Sequence, residues 1–61
     1  MQHLDLRTLR QFVAVAEHES ISKAAEQLFI SASPLSRAIL KLESQVGFPL
    51  FERVGRGLRL N

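Results

Sequence analysis

The chain has 61 residues, at the lower edge of independent folding, because a domain of this size buries only about 60% of the surface that its unfolded chain exposes. Hydrophobic residues make up 46% of it and charged residues 23%, with a net charge of +2, a globular profile that excludes a disordered tract and any apolar run of the roughly 20 residues needed to span a bilayer. Cysteine is absent, so neither disulfides nor thiolate zinc sites can supplement the small core, and helix packing has to carry the stability.

The opening MQHLDLRTLRQF alternates charged and apolar positions and has no apolar signal core, which gives the expectation of a cytoplasmic protein. A first helix is predicted from about Leu6 to His18. Its buried stripe is read as Leu6, Leu9, Val13 and Ala16, with Phe12 beside it, and Asp5 as the N-cap. Glu19-Ser20 breaks the pattern. Ser22 is the expected cap of a short second helix, about Lys23 to Leu28, with Ile21 packing back onto it. The adjacent Ala24 and Ala25 leave room for a tight helix crossing.

After Phe29-Ile30-Ser31, Ser33 as cap and Pro34 at the first helical position predict a third helix to about Gln45, with Leu35, Ala38, Ile39, Leu42 and Val46 on its inner side. Gly47 ends it and Pro49 prevents a restart. Leu50 to Arg53 and Leu58 to Leu60 then read as two short strands around Val54-Gly55-Arg56-Gly57, with Arg56 at the tip. Such a ribbon is marginal alone and must lean on the helices through Leu50, Phe51 or Leu58.

A short helix that leads by a tight turn into a longer one is a helix-turn-helix, whose second helix enters the DNA major groove. The outer face of the third helix presents Ser33, Ser36, Arg37, Leu40, Lys41 and Ser44, without a carboxylate. Hydroxyls suit phosphates and base edges, arginine can grip guanine bidentately, and Lys41 suits a phosphate. The same face fits an ordinary solvated helix surface, and Leu40 is either a thymine-methyl contact or an edge-of-core residue. The basic stretches are local: Arg37 and Lys41 are the only charges from Ser31 to Leu42, and Arg53, Arg56 and Arg59 the only ones from Arg53 to the last residue. An arginine between two glycines at a hairpin tip suits the negative potential of a narrow minor groove, although the bare tetrapeptide also fits a solvated turn.

Several segments fall in a familiar order: AVAE, AAEQL, the LSR of Leu35-Ser36-Arg37, the Leu42-Glu43 pair, and LFER before the ribbon. Over nearly the whole chain they resemble the amino-terminal domain of LysR-type transcriptional regulators. The resemblance implies a mainly α fold, a three-helix winged helix-turn-helix with a two-stranded β wing, forming one domain over residues 1–61. It implies binding to double-stranded promoter or operator DNA as a homodimer or tetramer. In the family a linker helix for dimerisation and a carboxy-terminal domain that binds a small-molecule inducer follow, and neither is present in these residues. Carried over position by position, the DNA contacts fall on Ser33, Pro34, Ser36 and Arg37 of the recognition helix, Ser22 and Lys23 of the second helix for phosphates, and Arg53 and Arg56 of the wing. Members commonly have Gln-Pro where this chain has Ala32-Ser33, so a methyl group replaces an amide that could read adenine, and reliance on Arg37 and DNA shape is expected instead. Ser33 is then either a contact or a helix cap.

A rival class is a protein-docking winged helix, which salt dependence of binding would separate from DNA recognition. Catalysis is not expected: His3 and His18 are isolated, Glu17 and Glu19 do not share a helix face, and no nucleophile with a base, metal-ligand cluster or cofactor motif is present.

Overall fold

A computed structural model, which describes residues 6–55 and 57–61, contains α1 (Leu6–His18), α2 (Ile21–Leu28), α3 (Ala32–Val46), β1 (Phe51–Val54) and β2 (Gly57–Leu60). This is the expected mainly α architecture with a C-terminal hairpin. Asp5, His3 and Arg56, to which the sequence assigns a cap, an isolated imidazole and the ribbon tip, lie outside the described residues.

The bounds of α1 are those expected, but its inner face is not. Leu6 is 75% exposed and Leu9 and Val13 are also exposed, whereas Val15 and Ala14 are buried and Phe12 and Ala16 pack against the core. Two adjacent apolar stripes run along this helix, and helical periodicity alone does not say which one the other elements cover.

The second helix begins earlier than its sequence suggests. Ser20, in extended backbone, is the cap, and its Oγ accepts the Lys23 backbone N–H at 3.1 Å. Ser22 lies inside the first turn and is not the cap, and Ile21 is the first helical residue rather than a staple before it. Packing gives the reason: starting at Ile21 places Ile21, Ala24, Ala25 and Leu28 at the i, i+3, i+4, i+7 positions of one face, and all four are buried or packed against the core. Phe29 closes the helix in the left-handed region at φ 58°. Its N–H donates to the Glu26 carbonyl and that of Ile30 to the Ala25 carbonyl, the paired bonds of a Schellman turn with phenylalanine where glycine is usual.

In α3 the helix likewise starts before the expected Pro34, at Ala32. Ser31 holds the cap position without a side-chain bond, so Ser33 is not the cap; its Oγ accepts instead from the Arg37 guanidinium at 3.1 Å. Pro34 is tolerated because it occupies the first turn, where backbone N–H groups have no partner within the helix. Leu35, Ile39 and Leu42 are buried as expected, Ala38 is half-buried, and Val46 remains exposed. Gly47 ends the helix at φ 88°, its N–H donating to the Glu43 carbonyl at 2.9 Å. Leu35 and Val15 are the largest fully buried side chains, and Phe12 meets Phe51 with ring centroids 5.4 Å apart.

The ribbon is antiparallel, with Phe51 opposite Leu60, Glu52 opposite Arg59, Arg53 opposite Leu58 and Val54 opposite Gly57. Gly55, at φ 59°, supplies the turn. Bonding in such a ladder alternates, so with Val54 and Gly57 as the closing pair the amides of Phe51 and Leu58 point away from the partner strand. Each finds an acceptor in the helical body. Leu50 and Phe51 donate to one carboxylate oxygen of Glu43, at 2.8 and 3.2 Å, and Leu58 donates to the Glu19 carbonyl at 2.9 Å. Phe51 is buried, and Leu50 and Leu58 pack against the core, so the ribbon leans on the helices through all three expected residues.

Removing these attachments has a measurable cost. Glu43→Ala leaves two half-buried amides without an acceptor and should lower the unfolding free energy in urea by about 1 to 3 kcal/mol, with Glu43→Gln, which keeps one acceptor oxygen, losing less. Ser20→Ala should cost about 1 kcal/mol in the same measurement, as loss of a helix cap does. Ser22→Ala should stay within roughly 0.5 kcal/mol of the parent, as surface changes do; the reverse order would return the cap to Ser22.

Candidate nucleic-acid interface

The start of α2, the outer flank of α3 and the ribbon enclose an open groove of about 560 Å³. Ser22 stands on its α2 side, Ser33, Ser36 and Leu40 on its α3 side, and Arg53 on its β1 side. Four of the residues expected to contact DNA, namely Ser22, Ser33, Ser36 and Arg53, therefore converge on one concavity from three elements. Ala32 lines the same wall with its methyl group. Lys23 borders a neighbouring hollow between the α1–α2 turn and the ribbon, together with Arg59. Pro34, Arg37 and Lys41 are exposed on α3 beside the groove rather than within it.

Local structure explains these placements. Starting α3 at Ala32 puts Ser33, Arg37 and Lys41 in one i, i+4, i+8 row, so the two cations and the hydroxyl share an outer stripe. The Ser33 bond holds the Arg37 side chain back along that stripe and uses only part of its donor capacity. Leu40, at 62% exposure, is not a core residue and leaves an apolar surface between Ser36, Arg37 and Ser44. Of the two readings of Leu40, packing removes the edge-of-core one.

The electrostatics favour an anionic partner. Among the described residues the one ion pair joins Arg59 to Glu52 at 3.5 Å, both exposed. Lys23, Lys41 and Arg53 enter no ion pair with the described residues, so their charges are available outside the protein. Glu43, the carboxylate on the groove wall, has its oxygen engaged by the Leu50 and Phe51 amides. His18 pairs its ring nitrogen with the Gln27 side-chain oxygen, bracing α1 against α2. The described residues contain no group of three or more His, Cys, Asp or Glu able to hold a metal ion, and no helix long and apolar enough to cross a membrane.

Some contributors were not singled out from sequence. Ser20 and Gly57 both border the groove. The i, i+3, i+4, i+7 set starting at Ile21 is the signal that marks Ser20 as the cap. Nothing in the local sequence separates Gly57 from an ordinary turn glycine.

Comparison with known proteins agrees with this geometry. A family model described as the bacterial regulatory helix-turn-helix protein, lysR family, matches residues 6–61. The chain is 51% identical over 57 residues to the HTH-type transcriptional regulator BudR of Klebsiella aerogenes, a match covering 93% of this chain and 40% of BudR. It is 48% identical over 56 residues to the HTH-type transcriptional regulator BenM of Acinetobacter baylyi, covering 92% of this chain and 18% of BenM. It thus spans well under half the length of these relatives. Among solved structures it is similar to the BenM DBD in complex with benA site 1 DNA, with a TM-score of 0.88, 46% identity, and coverage of 95% of this chain and 65% of that one. The CbnR DBD–DNA complex also gives a TM-score of 0.88, at 38% identity, covering 95% of this chain and 67% of the other. Three helices and an antiparallel hairpin, the order of the five sequence segments and a family match from Leu6 to the last residue together place the chain: it belongs to the lysR family of bacterial regulatory helix-turn-helix proteins.

Proposed function

We propose that this chain is the double-stranded DNA-reading module of a LysR-type transcriptional regulator, with α3 in the major groove and Arg56 of the wing in the adjacent minor groove. One observation carries the reading: the outer stripe of α3 is exposed, basic and free of carboxylates, and it opens onto a groove whose walls bring Ser22, Ser36 and Arg53 beside it. Arg37, partly held by Ser33, is the base reader, gripping guanine through its remaining donors. Leu40 is placed for a thymine methyl. Ser22, Lys23 and Lys41 take phosphates, Arg53 serves the wing side, and Ser33, Pro34 and Ser36 line the entry of the helix. Ala32 offers no hydrogen bond to a base, so specificity shifts toward Arg37 and DNA shape.

In the complete regulator the module acts in the cytoplasm as part of a homodimer or tetramer, on half-sites about 34 Å apart per helical turn. Other parts of that protein bind a small-molecule inducer. Its role is recognition rather than catalysis.

Counterion release sets the test against a protein-docking role, because affinity for DNA falls steeply with salt when phosphates are neutralised. Arg37→Ala should weaken operator binding by about 1 to 3 kcal/mol in a titration at fixed salt. A footprint and affinity equal to the parent's would remove Arg37 from base readout. Arg56→Ala should weaken binding most on sites with A/T-rich flanks, where the minor groove is narrow. Equal losses on G/C-rich flanks would reduce Arg56 to a phosphate contact.

A further inference from the structure

We propose that Gly57 is a positioning residue for DNA recognition: it admits the Glu19 carbonyl where a side chain would otherwise stand, and so sets the angle at which the wing meets the helix-turn-helix. The inference rests on the DNA-reading function proposed above.

A Cβ at Gly57 would lie 2.7 Å from the Glu19 carbonyl oxygen, closer than real Cβ contacts come. The atom it meets is backbone, so no rotamer change relieves the contact. Backbone conformation is not what demands glycine here: Gly47 and Gly55 have positive φ, and Gly57 does not. Gly55, by contrast, has open space where its Cβ would be. The two wing glycines therefore do different jobs, Gly55 making the turn and Gly57 making the contact.

The acceptor is placed as specifically as the donor. Glu19 adopts φ 53°, its N–H closes α1 on the Val15 carbonyl at 2.8 Å, and its own carbonyl receives the Leu58 N–H at 2.9 Å. The next residue is Ser20, the cap of α2. One turn thus joins the end of α1, the start of α2 with Ser22 and Lys23, and the strand β2. Leu58 stands opposite Arg53 in the ribbon, so a shift at Leu58 is a shift of Arg53 on the groove wall. A methyl group at Gly57 forces the ribbon away from Glu19, breaks the Leu58 bond and withdraws Arg53 and the wing tip from the DNA.

The test compares the full chain with Gly57→Ala by circular dichroism, by hydrogen exchange at the Leu58 amide, and by titration with a labelled duplex selected from a random pool. The expected result is a retained helical signal, Leu58 exchange faster by about tenfold or more, and duplex affinity lower by about tenfold. The slope of log affinity against log salt should also fall by about one for each phosphate that the protein no longer reaches, a change that a smaller folded population making the same contacts does not produce. A Leu58 amide-to-ester analogue, accessible by synthesis at this length, removes the donor without adding bulk and should move the exchange-independent readouts, affinity and salt slope, in the same direction; it decides alone if Gly57→Ala loses its helices. Unchanged affinity and slope in these variants would overturn the positioning role while leaving the DNA reading intact, as would a Leu58 amide that stays protected in Gly57→Ala. A parent chain that holds no duplex would instead sink the DNA reading, and this inference with it.

Discussion

The structure depends on how closely α2 lies against its neighbours, and that closeness depends on two alanines. Ala24 is fully buried and Ala25 nearly so, and they adjoin the fully buried Val15 of α1 and Leu35 of α3 in a single cluster. A helix of eight residues is too short to persist by itself in water, so its existence and its orientation come from this packing. Interiors are close-packed, and any added methylene at these positions would have to be accommodated by moving a helix. Because Ser22 and Lys23 project from the first turn of α2 and Ser33 and Arg37 from the first turns of α3, the distance between the two helices is also the distance between the two sets of expected DNA contacts.

The ribbon solves a different problem. Two strands of four residues bury little, with Phe51 the one buried side chain among their described residues. A hairpin of that kind is marginal alone. Its attachment to the helices is therefore polar and directional as well as apolar: the Glu43 carboxylate receives the Leu50 and Phe51 amides, and the Glu19 carbonyl receives that of Leu58. Hydrophobic contact is tolerant of sliding, whereas hydrogen bonds to outward amides fix both distance and register. A wing held in this way has a defined angle to the recognition helix, which a surface that must match two grooves of a duplex requires.

How much of this was legible in the sequence varied with the range of the interaction. The three helices, the glycine stop at Gly47 and the hairpin around Gly55 follow from local rules, and the structure has them. The starts of α2 and α3 do not, because several serines compete for each cap: tertiary burial of Ile21 selected Ser20 over Ser22, and the indifference of a first-turn position to proline let α3 begin before Pro34. The orientation of α1 failed for a related reason, since the exposed Leu6, Leu9 and Val13 have the same spacing as a buried stripe. The interface was read through residue type and family resemblance, which brought Ser22, Ser33, Ser36 and Arg53 to one groove. Glu43 entered only as part of a motif and Gly57 only as a turn residue, because an acceptor for outward amides and a space for another segment's carbonyl exist only in three dimensions.

Backbone strain marks the same boundaries. Among the described residues, the two non-glycine positions with positive φ are Glu19 at 53° and Phe29 at 58°, one at each end of α2. Left-handed backbone costs an L-residue about 1 kcal/mol or more, and a chain this small has little stability to spare. Neither side chain offers local compensation through burial, since Glu19 is exposed and Phe29 is 94% exposed. What the conformations achieve is directional: Glu19 turns its carbonyl toward the wing, and Phe29 sends its amide and that of Ile30 back onto the last carbonyls of α2. Both turns fix the direction of the short helix relative to its neighbours in the chain. The strain therefore sits where the angles between α1, α2, α3 and the ribbon are decided, and the packing of Ala24, Ala25 and Leu35 is what holds it in place.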